Sequence, residues 1–412
     1  MNSMFKMINT NIPQGYKQTE LGIIPEDWEI KSFSQIFDLY PNNTFSRDCM
    51  NNSHGEVHNI HYGDVLIKYP TIIDAAKCQM PYLNEDVKIK SHKVVQSGDV
   101  IIADTAEDDA VGKCVEVKNV SNEKIVAGLH TFFCHPVIPF ASGWLGYYIN
   151  SSNYHNQLLP YITGIKVSSI SRASIQETKL LVPPIAEQRA IAEALSDVDG
   201  LIVALDKKIA KKRLIKQGAM QQLLTGKTRL PGFTDEWEYI TLEDLLEYEQ
   251  PTKYLVSSTE YTESGIPVLT AGKTFILGYT TETTGIYTNT PVIIFDDFTT
   301  DSKFVTMPFK AKSSAMKMLQ LRDRRYNIRL IYELMQLIQF PLYDHQRYWI
   351  SEYSKLKVYV PTNFDEQQAI ATILSDMDKE IFDLEAQRDK YRLLKSGMMQ
   401  KLLTGQVRLK TE

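Results

Sequence analysis

Beginning at Ile191, apolar residues recur at alternating steps of four and three: Ile191, Leu195, Val198, Ile202, Leu205 and Ile209. That spacing is the a/d seam of a coiled coil. A second run, Ile370, Leu374, Met377, Ile381 and Leu384, repeats the register. Pro183-Pro184 and Pro361 break whatever precedes them and suit the approach to a helix. Both runs end at Leu-Leu-Thr-Gly, where Gly226 and Gly405 can take the left-handed cap conformation. Gly218 and Gly397, inside the runs, read as a kink or a close approach between helices. A helix of ~30 residues spans ~45 Å.

The likeness extends beyond the seam. Glu187–Leu230 aligns with Glu366–Leu409 without a gap, and roughly half of about 44 positions agree. A weaker echo opens each half, Glu26-Asp27-Trp28-Glu29 against Asp235-Glu236-Trp237-Glu238. The intervening stretches, about 35–180 and 245–360, show no similarity. Constant and variable parts therefore alternate. A flexible lead covers 1–15, a first variable domain 16–182 and a first spacer helix 183–226. A second variable domain covers 227–361, a second spacer helix 362–405 and a tail 406–412.

The variable parts look α+β, with strands at Val100–Ile102, Lys113–Lys118 and Val292–Phe295 and helices near Leu145–Leu159 and Ile328–Ile338. A seam of two to three heptads cannot bury itself, and the other copy is its natural partner. The expected fold is α+β: two domains of mixed sheet and helix joined by two long helices in an antiparallel coiled coil with pseudo-two-fold symmetry. The alternative is two independent amphipathic helices, each packed on its own domain, for which matched registers and ends are unnecessary.

Composition narrows the class. A chain of 412 residues exceeds one core and suits two to four domains. With 43% hydrophobic and 23% charged residues it is an ordinary folded protein, neither disordered nor fibrous. No window reaches the ~18 uninterrupted apolar residues of a membrane span. The opening residues lack a secretion signal, so a cytoplasmic location is expected. Cys49, Cys78, Cys114 and Cys134 form no Cys-x-x-Cys pair and suit reduced thiols. Cys49 with His54, His58 and His61 offers a metal-site reading, but structural zinc favours closely paired ligands; no metal and no cofactor is expected.

Net charge is −5, so bulk electrostatics do not advertise a nucleic-acid binder. Two basic clusters stand out: Lys207, Lys208, Lys211, Lys212, Arg213 and Lys216, and Lys310, Lys312, Lys317, Arg322, Arg324, Arg325 and Arg329. Each reads equally as a phosphate-binding patch or as a solvated face, and charge leaves the choice open.

Catalytic motifs are missing. Ala271-Gly272-Lys273-Thr274 lacks the glycine that opens a phosphate loop. Val182-Pro183-Pro184-Ile185 lacks the polar first and aromatic last residues of an amino-methyltransferase motif. A serine-nucleophile elbow is also absent. One constellation suggests hydrolysis: Asp104 after an apolar strand, then Glu116-Val117-Lys118, the skeleton of a Mg-dependent nuclease. The plainer reading is a hairpin with charges on its wet face.

The residues Tyr16-Lys17-Gln18-Thr19-Glu20-Leu21-Gly22-Ile23-Ile24-Pro25-Glu26-Asp27-Trp28, Val182-Pro183-Pro184-Ile185-Ala186-Glu187-Gln188-Arg189-Ala190-Ile191 and both Leu-Leu-Thr-Gly endings resemble the specificity subunits of type I restriction-modification enzymes. The second copy departs slightly, with Val360-Pro361-Thr362 where the family has two prolines, and this bears on the helix start alone. The resemblance implies a non-catalytic subunit whose two target-recognition domains each read half of a bipartite, asymmetric site on double-stranded DNA. It implies helices that set the spacer, and as partners two methyltransferase subunits and the restriction motor-nuclease subunits.

Base and phosphate contacts are expected from polar or aromatic loop residues. In the first domain these are Tyr62, Lys68, Thr105, Glu107, His130, Lys166 and Ser168. In the second they are Lys273, Thr274, Tyr279, Phe298, Thr299, Lys303, Lys310, Lys312 and Ser313. A third reading is a structural tether whose coiled coil only joins partners.

Overall fold

The computed structural model describes residues 12–89, 93–108, 110–164, 166–272, 274–342 and 347–409. They fall into two compact units, one running to Ala204 and resuming at Arg388, the other Leu205–Gln387. The apolar repeats form two helices of 39 residues each, Ile185–Leu223 and Phe364–Leu402. At 1.5 Å per residue each is ~58 Å long. Both start at the same point of the repeat. The first follows two prolines, whereas Asn363 caps the second by accepting the backbone N–H groups of Asp365 (2.9 Å) and Glu366 (3.3 Å). Each helix ends before a glycine with positive φ, +68° at Gly226 and +71° at Gly405. Gly218 and Gly397 correct the expectation of close approach, because a Cβ on either would meet nothing within 4 Å.

The helices pack against each other within each unit. In the first, Glu187 meets Arg408 and Asp199 meets Lys395; in the second, Glu366 meets Arg229 and Asp378 meets Lys216. Numbers rise along one helix as they fall along the other, so the pairing is antiparallel. The two sets are the same after the copies are exchanged, as one scaffold used twice requires. The apolar seam does two jobs. Ile191 and Leu195 enter the first unit's core beside Leu402 and Leu403, and Ile370 and Leu374 enter the second's beside Leu223 and Leu224. Val198, Ile209 and Leu384 are buried further along, while Ile202, Leu205, Met377 and Ile381 are half-buried.

The variable domains share a plan that their sequences do not. In the first, strands are ordered Phe37–Tyr40, Thr131–Pro136, Val100–Ala103, Cys114–Lys118 and Ile72–Asp74. In the second, the order is Leu246–Glu249, Met316–Leu321, Val292–Asp296 and Ser302–Val305. The first four strands correspond one to one and are antiparallel to one another, and in the first domain Ile72–Asp74 adds a parallel fifth. A smaller sheet follows suit: Val57–Ile60 runs parallel to Lys124–Ala127, and Ile266–Leu269 parallel to Lys310–Ala311. Each domain is stapled to the helices by a two-stranded sheet, Glu29–Ser32 with Lys179–Val182 and Trp237–Thr241 with Lys357–Pro361.

Much of the cationic charge is spent internally. Lys212, Arg213 and Lys216 pair with Glu380, Glu385 and Asp378. Lys317 is buried against Asp297 (3.0 Å), Arg322 donates to the Glu243 carbonyl (2.7 Å), and Arg325 pairs with Asp323. Part of each basic run is therefore tied into the scaffold, while Lys207, Lys208 and Lys211 stand exposed.

Candidate nucleic-acid interface

In both domains the central strand reads Val-Ile-Ile-x-Asp and ends in a turn held by that aspartate. In the first domain, Asp104 Oδ1 accepts the Thr105 hydroxyl (2.7 Å) and lies 3.2 Å from His130 Nδ1. His130 holds φ at +53°, and its ring meets the Tyr62 ring edge-on at 5.3 Å. The Asp104 N–H donates to the His130 carbonyl (3.1 Å) and the Tyr62 N–H to that of Leu129 (3.3 Å). Thr105–Ala106 then pairs with Ser168–Ser169, bringing Ser168 opposite Ala106. Tyr62, Thr105, His130 and Ser168 thus come together from four segments of the chain, with Glu107 and Lys166 exposed beside them. Lys68 stands exposed at the far end of the Tyr62–Ile67 helix, its ammonium 5.4 Å from the Tyr69 ring.

The second domain makes the same junction with other residues. Asp296 Oδ1 accepts the N–H groups of Phe298 (2.9 Å) and Thr299 (3.0 Å). Asp297 is buried, bonded to Lys317 and to the Trp349 N–H (2.9 Å), and its own N–H donates to the Ala315 carbonyl (3.2 Å). Phe298 is presented 44% exposed on this turn, with the Arg347 guanidinium 5.8 Å from its ring. Thr299 is exposed and Lys303 half-buried. The Ser313 hydroxyl accepts the Ala315 N–H (3.1 Å), and the Lys312 N–H donates to the Leu269 carbonyl (3.0 Å). Lys312 also carries its ammonium 5.8 Å from the Tyr261 ring. Thr274 is exposed, and Tyr279 is held in the smaller sheet by Thr262. Lys310 points inward, 2% exposed, to Glu282 (2.6 Å) and the Thr284 carbonyl (2.8 Å), which takes it off the surface. Its ammonium holds the Glu282 carboxyl down at about 2. Lys273 lies outside the described residues.

Sequence reasoning gave Asp104 another role and missed Asp296, Arg347, and Arg47, whose guanidinium fork grips Asp64 (2.7 Å twice) at the start of the Tyr62 helix. The shared Val-Ile-Ile-x-Asp was the available signal. His61 caps that helix by accepting the Gly63 N–H (3.1 Å), and burial pulls its imidazole down to about 4.

The nuclease reading is corrected by register. Glu116 pairs opposite Val100, four residues from Asp104, a separation of ~13 Å along the strand. Both Glu116 oxygens are taken, by the N–H groups of Gly143 (2.5 Å) and Gly146 (2.8 Å), so the side chain caps the Trp144–Ile149 helix. Among the described residues no three or more His, Cys, Asp or Glu side chains form a metal-holding group.

Burial pushes the Glu116 carboxyl up to about 7, outweighing those two donors. The folded state therefore holds a proton that the unfolded chain releases near 4.5. This contribution to stability is full below 4.5 and is lost as pH climbs through 7. Denaturation of Glu116→Gln should lack that fall; an unchanged pH slope would assign it elsewhere.

The family model for the type I restriction modification DNA specificity domain matches residues 25–213 and 234–391, most of the chain. The chain belongs to that family. The specificity subunit of the EcoR124I/EcoR124II type I restriction enzyme from Escherichia coli is 49% identical over 142 residues, 33% of this chain and 35% of that protein. A Methanocaldococcus jannaschii protein, provisionally named the MjaX type I restriction enzyme specificity subunit, is 22% identical over 434 residues, covering 97% of this chain and 98% of its own. The crystal structure of the type I restriction-modification S subunit from M. genitalium shares the fold, with a TM-score of 0.63 at 14% identity over 96% of this chain and 97% of that one. Among the described residues no helix is long and apolar enough to cross a membrane.

Proposed function

We propose that this family member is the non-catalytic DNA-reading subunit of a type I restriction-modification system. It reads a two-part asymmetric site and brings two methyltransferase subunits, and with them the restriction subunits, to it in the cytoplasm. The observation that carries this is one scaffold, present twice, holding two domains whose loops converge at the same strand ends but bear unlike side chains. Unlike heads on matched supports suit two different half-sites at a set separation. In the first domain Thr105, His130, Tyr62 and Ser168 offer donors and acceptors to base edges, with Lys68 and Lys166 for phosphates. In the second, Phe298, Thr299, Thr274 and Ser313 take the corresponding part, Phe298 as an apolar contact for a thymine methyl or a base step.

The test is methylome sequencing after expression with type I methyltransferase subunits. A two-part motif with fixed spacing is expected, and exchanging residues 30–180 for another variable segment should change one half only. Unchanged methylation after that exchange would favour a mere tether. Mg-dependent cleavage by the purified chain alone, lost in Glu116→Ala, would overturn the non-catalytic reading.

A further inference from the structure

The repeat places the same interhelical ion pair in each unit, Asp199 with Lys395 (2.7 Å) and Asp378 with Lys216 (2.6 Å). An exposed pair of this kind contributes little. These two are partly covered, the lysines 20% and 15% exposed and the aspartates 33% and 38%, and each receives a side chain from its own variable domain. In the first unit the Trp144–Ile149 helix brings the Tyr147 hydroxyl to Asp199 (2.9 Å) and sets the Tyr147 ring 5.4 Å from the Lys395 ammonium. In the second, the Ile328–Met335 helix brings Arg329 to Asp378, while the fully buried Glu333 accepts from Arg329 (2.5 Å) and faces Lys216 at 3.3 Å. Two domains without sequence similarity thus insert unlike groups into the same two scaffold positions, each from the helix that follows its Thr131–Pro136 or Met316–Leu321 strand.

A second attachment lies eleven residues earlier in each long helix. Gln188 accepts the Ala141 N–H (3.0 Å) and Gln367 the Asn327 N–H (2.8 Å). Two fastenings ~16 Å apart on a rod fix a tilt, whereas one leaves a hinge. Gathering four charges at Asp378, with Glu333 fully buried among them, is an expensive way to gain stability, so its use lies in geometry.

We propose that these Asp–Lys pairs are positioning sockets that fix the angle of each recognition domain on the helices and thereby restrict the spacer lengths the subunit accepts. The inference rests on the two-part reading above. Its test uses the full chain with methyltransferase subunits on DNA carrying the native half-sites and spacers lengthened or shortened by one base pair. Tyr147→Phe and Asp378→Asn should methylate the altered spacers at least about tenfold better than wild type, the scale of a lost hydrogen bond to a charged group, while native sites stay within about threefold. Tyr147→Phe leaves its Asp–Lys pair in place, so it reports even where Asp378→Asn folds poorly. Methylation of native sites by Tyr147→Phe with wild-type spacer discrimination would overturn the sockets alone. A wild-type motif that is not two-part would overturn the functional reading, and the sockets with it.

Discussion

Glu187→Ala is expected to lower the unfolding free energy of the first unit by about 3 kcal/mol, the scale of leaving a buried charged partner unpaired. Glu187 is 2% exposed and joins three parts of the chain. Its Oε2 accepts the Trp28 indole N–H at 2.9 Å, and its carboxylate receives Arg408 through Nε (2.6 Å) and the terminal nitrogen (2.7 Å). Alanine strands the indole N–H in the core and leaves Arg408 with Asp27 as its remaining carboxylate. The stranded indole lies in the core, where Trp28 is fully buried and meets Trp144 edge to face at 6.2 Å. Glu366→Ala should cost the second unit a similar amount, since Trp237 (3.2 Å) and Arg229 (2.6 and 2.7 Å) repeat the arrangement. Arg408→Lys should recover little, because a single ammonium cannot make the fork. Urea denaturation of the three variants measures this; a Glu187→Ala midpoint equal to wild type would remove the clip from the account of stability.

These clips show which features were legible in the sequence. Glu187, Gln188, Asp199, Lys216 and Arg229 recur at the same offset as Glu366, Gln367, Asp378, Lys395 and Arg408, and their recurrence pointed to one scaffold used twice. The seam periodicity placed the helices, although it did not distinguish Ile191 and Leu195, which enter a domain core, from Ile202 and Leu205, which stay half-buried. The common topology of the variable domains was invisible, because a buried strand requires apolar residues on a face but not particular ones, and strand order is set by pairings between segments distant in sequence. Charge misled in the opposite direction. Lys310 and Lys317 read as surface cations in a basic run, yet Glu282 and Asp297, distant in sequence, draw them inside. Asp104 was noticed for hydrolysis; only the fold shows that it holds Thr105 and His130 in place.

His130→Ala and Phe298→Ala are expected to relax one half of the recognised motif each, the first and second halves respectively. A good direct contact discriminates by about 1–3 kcal/mol, so methylation should spread to single-base variants of that half by roughly 10- to 100-fold while the other half stays strict. The effect should be large because both side chains are held before DNA arrives. His130 is fixed by Asp104, by Tyr62 and by its own carbonyl, and Phe298 rides on a turn whose N–H groups Asp296 has already satisfied. A contact on a fixed support spends little of its energy on ordering. Lys166→Ala should behave differently, weakening binding to all sequences and lowering the salt slope by about one. Thymine-to-uracil substitution in the second half should cost wild type affinity and leave Phe298→Ala unchanged if the ring rests on a methyl group. Strict motifs in both alanine variants, with folding intact, would move base reading away from the turns that follow the two central strands.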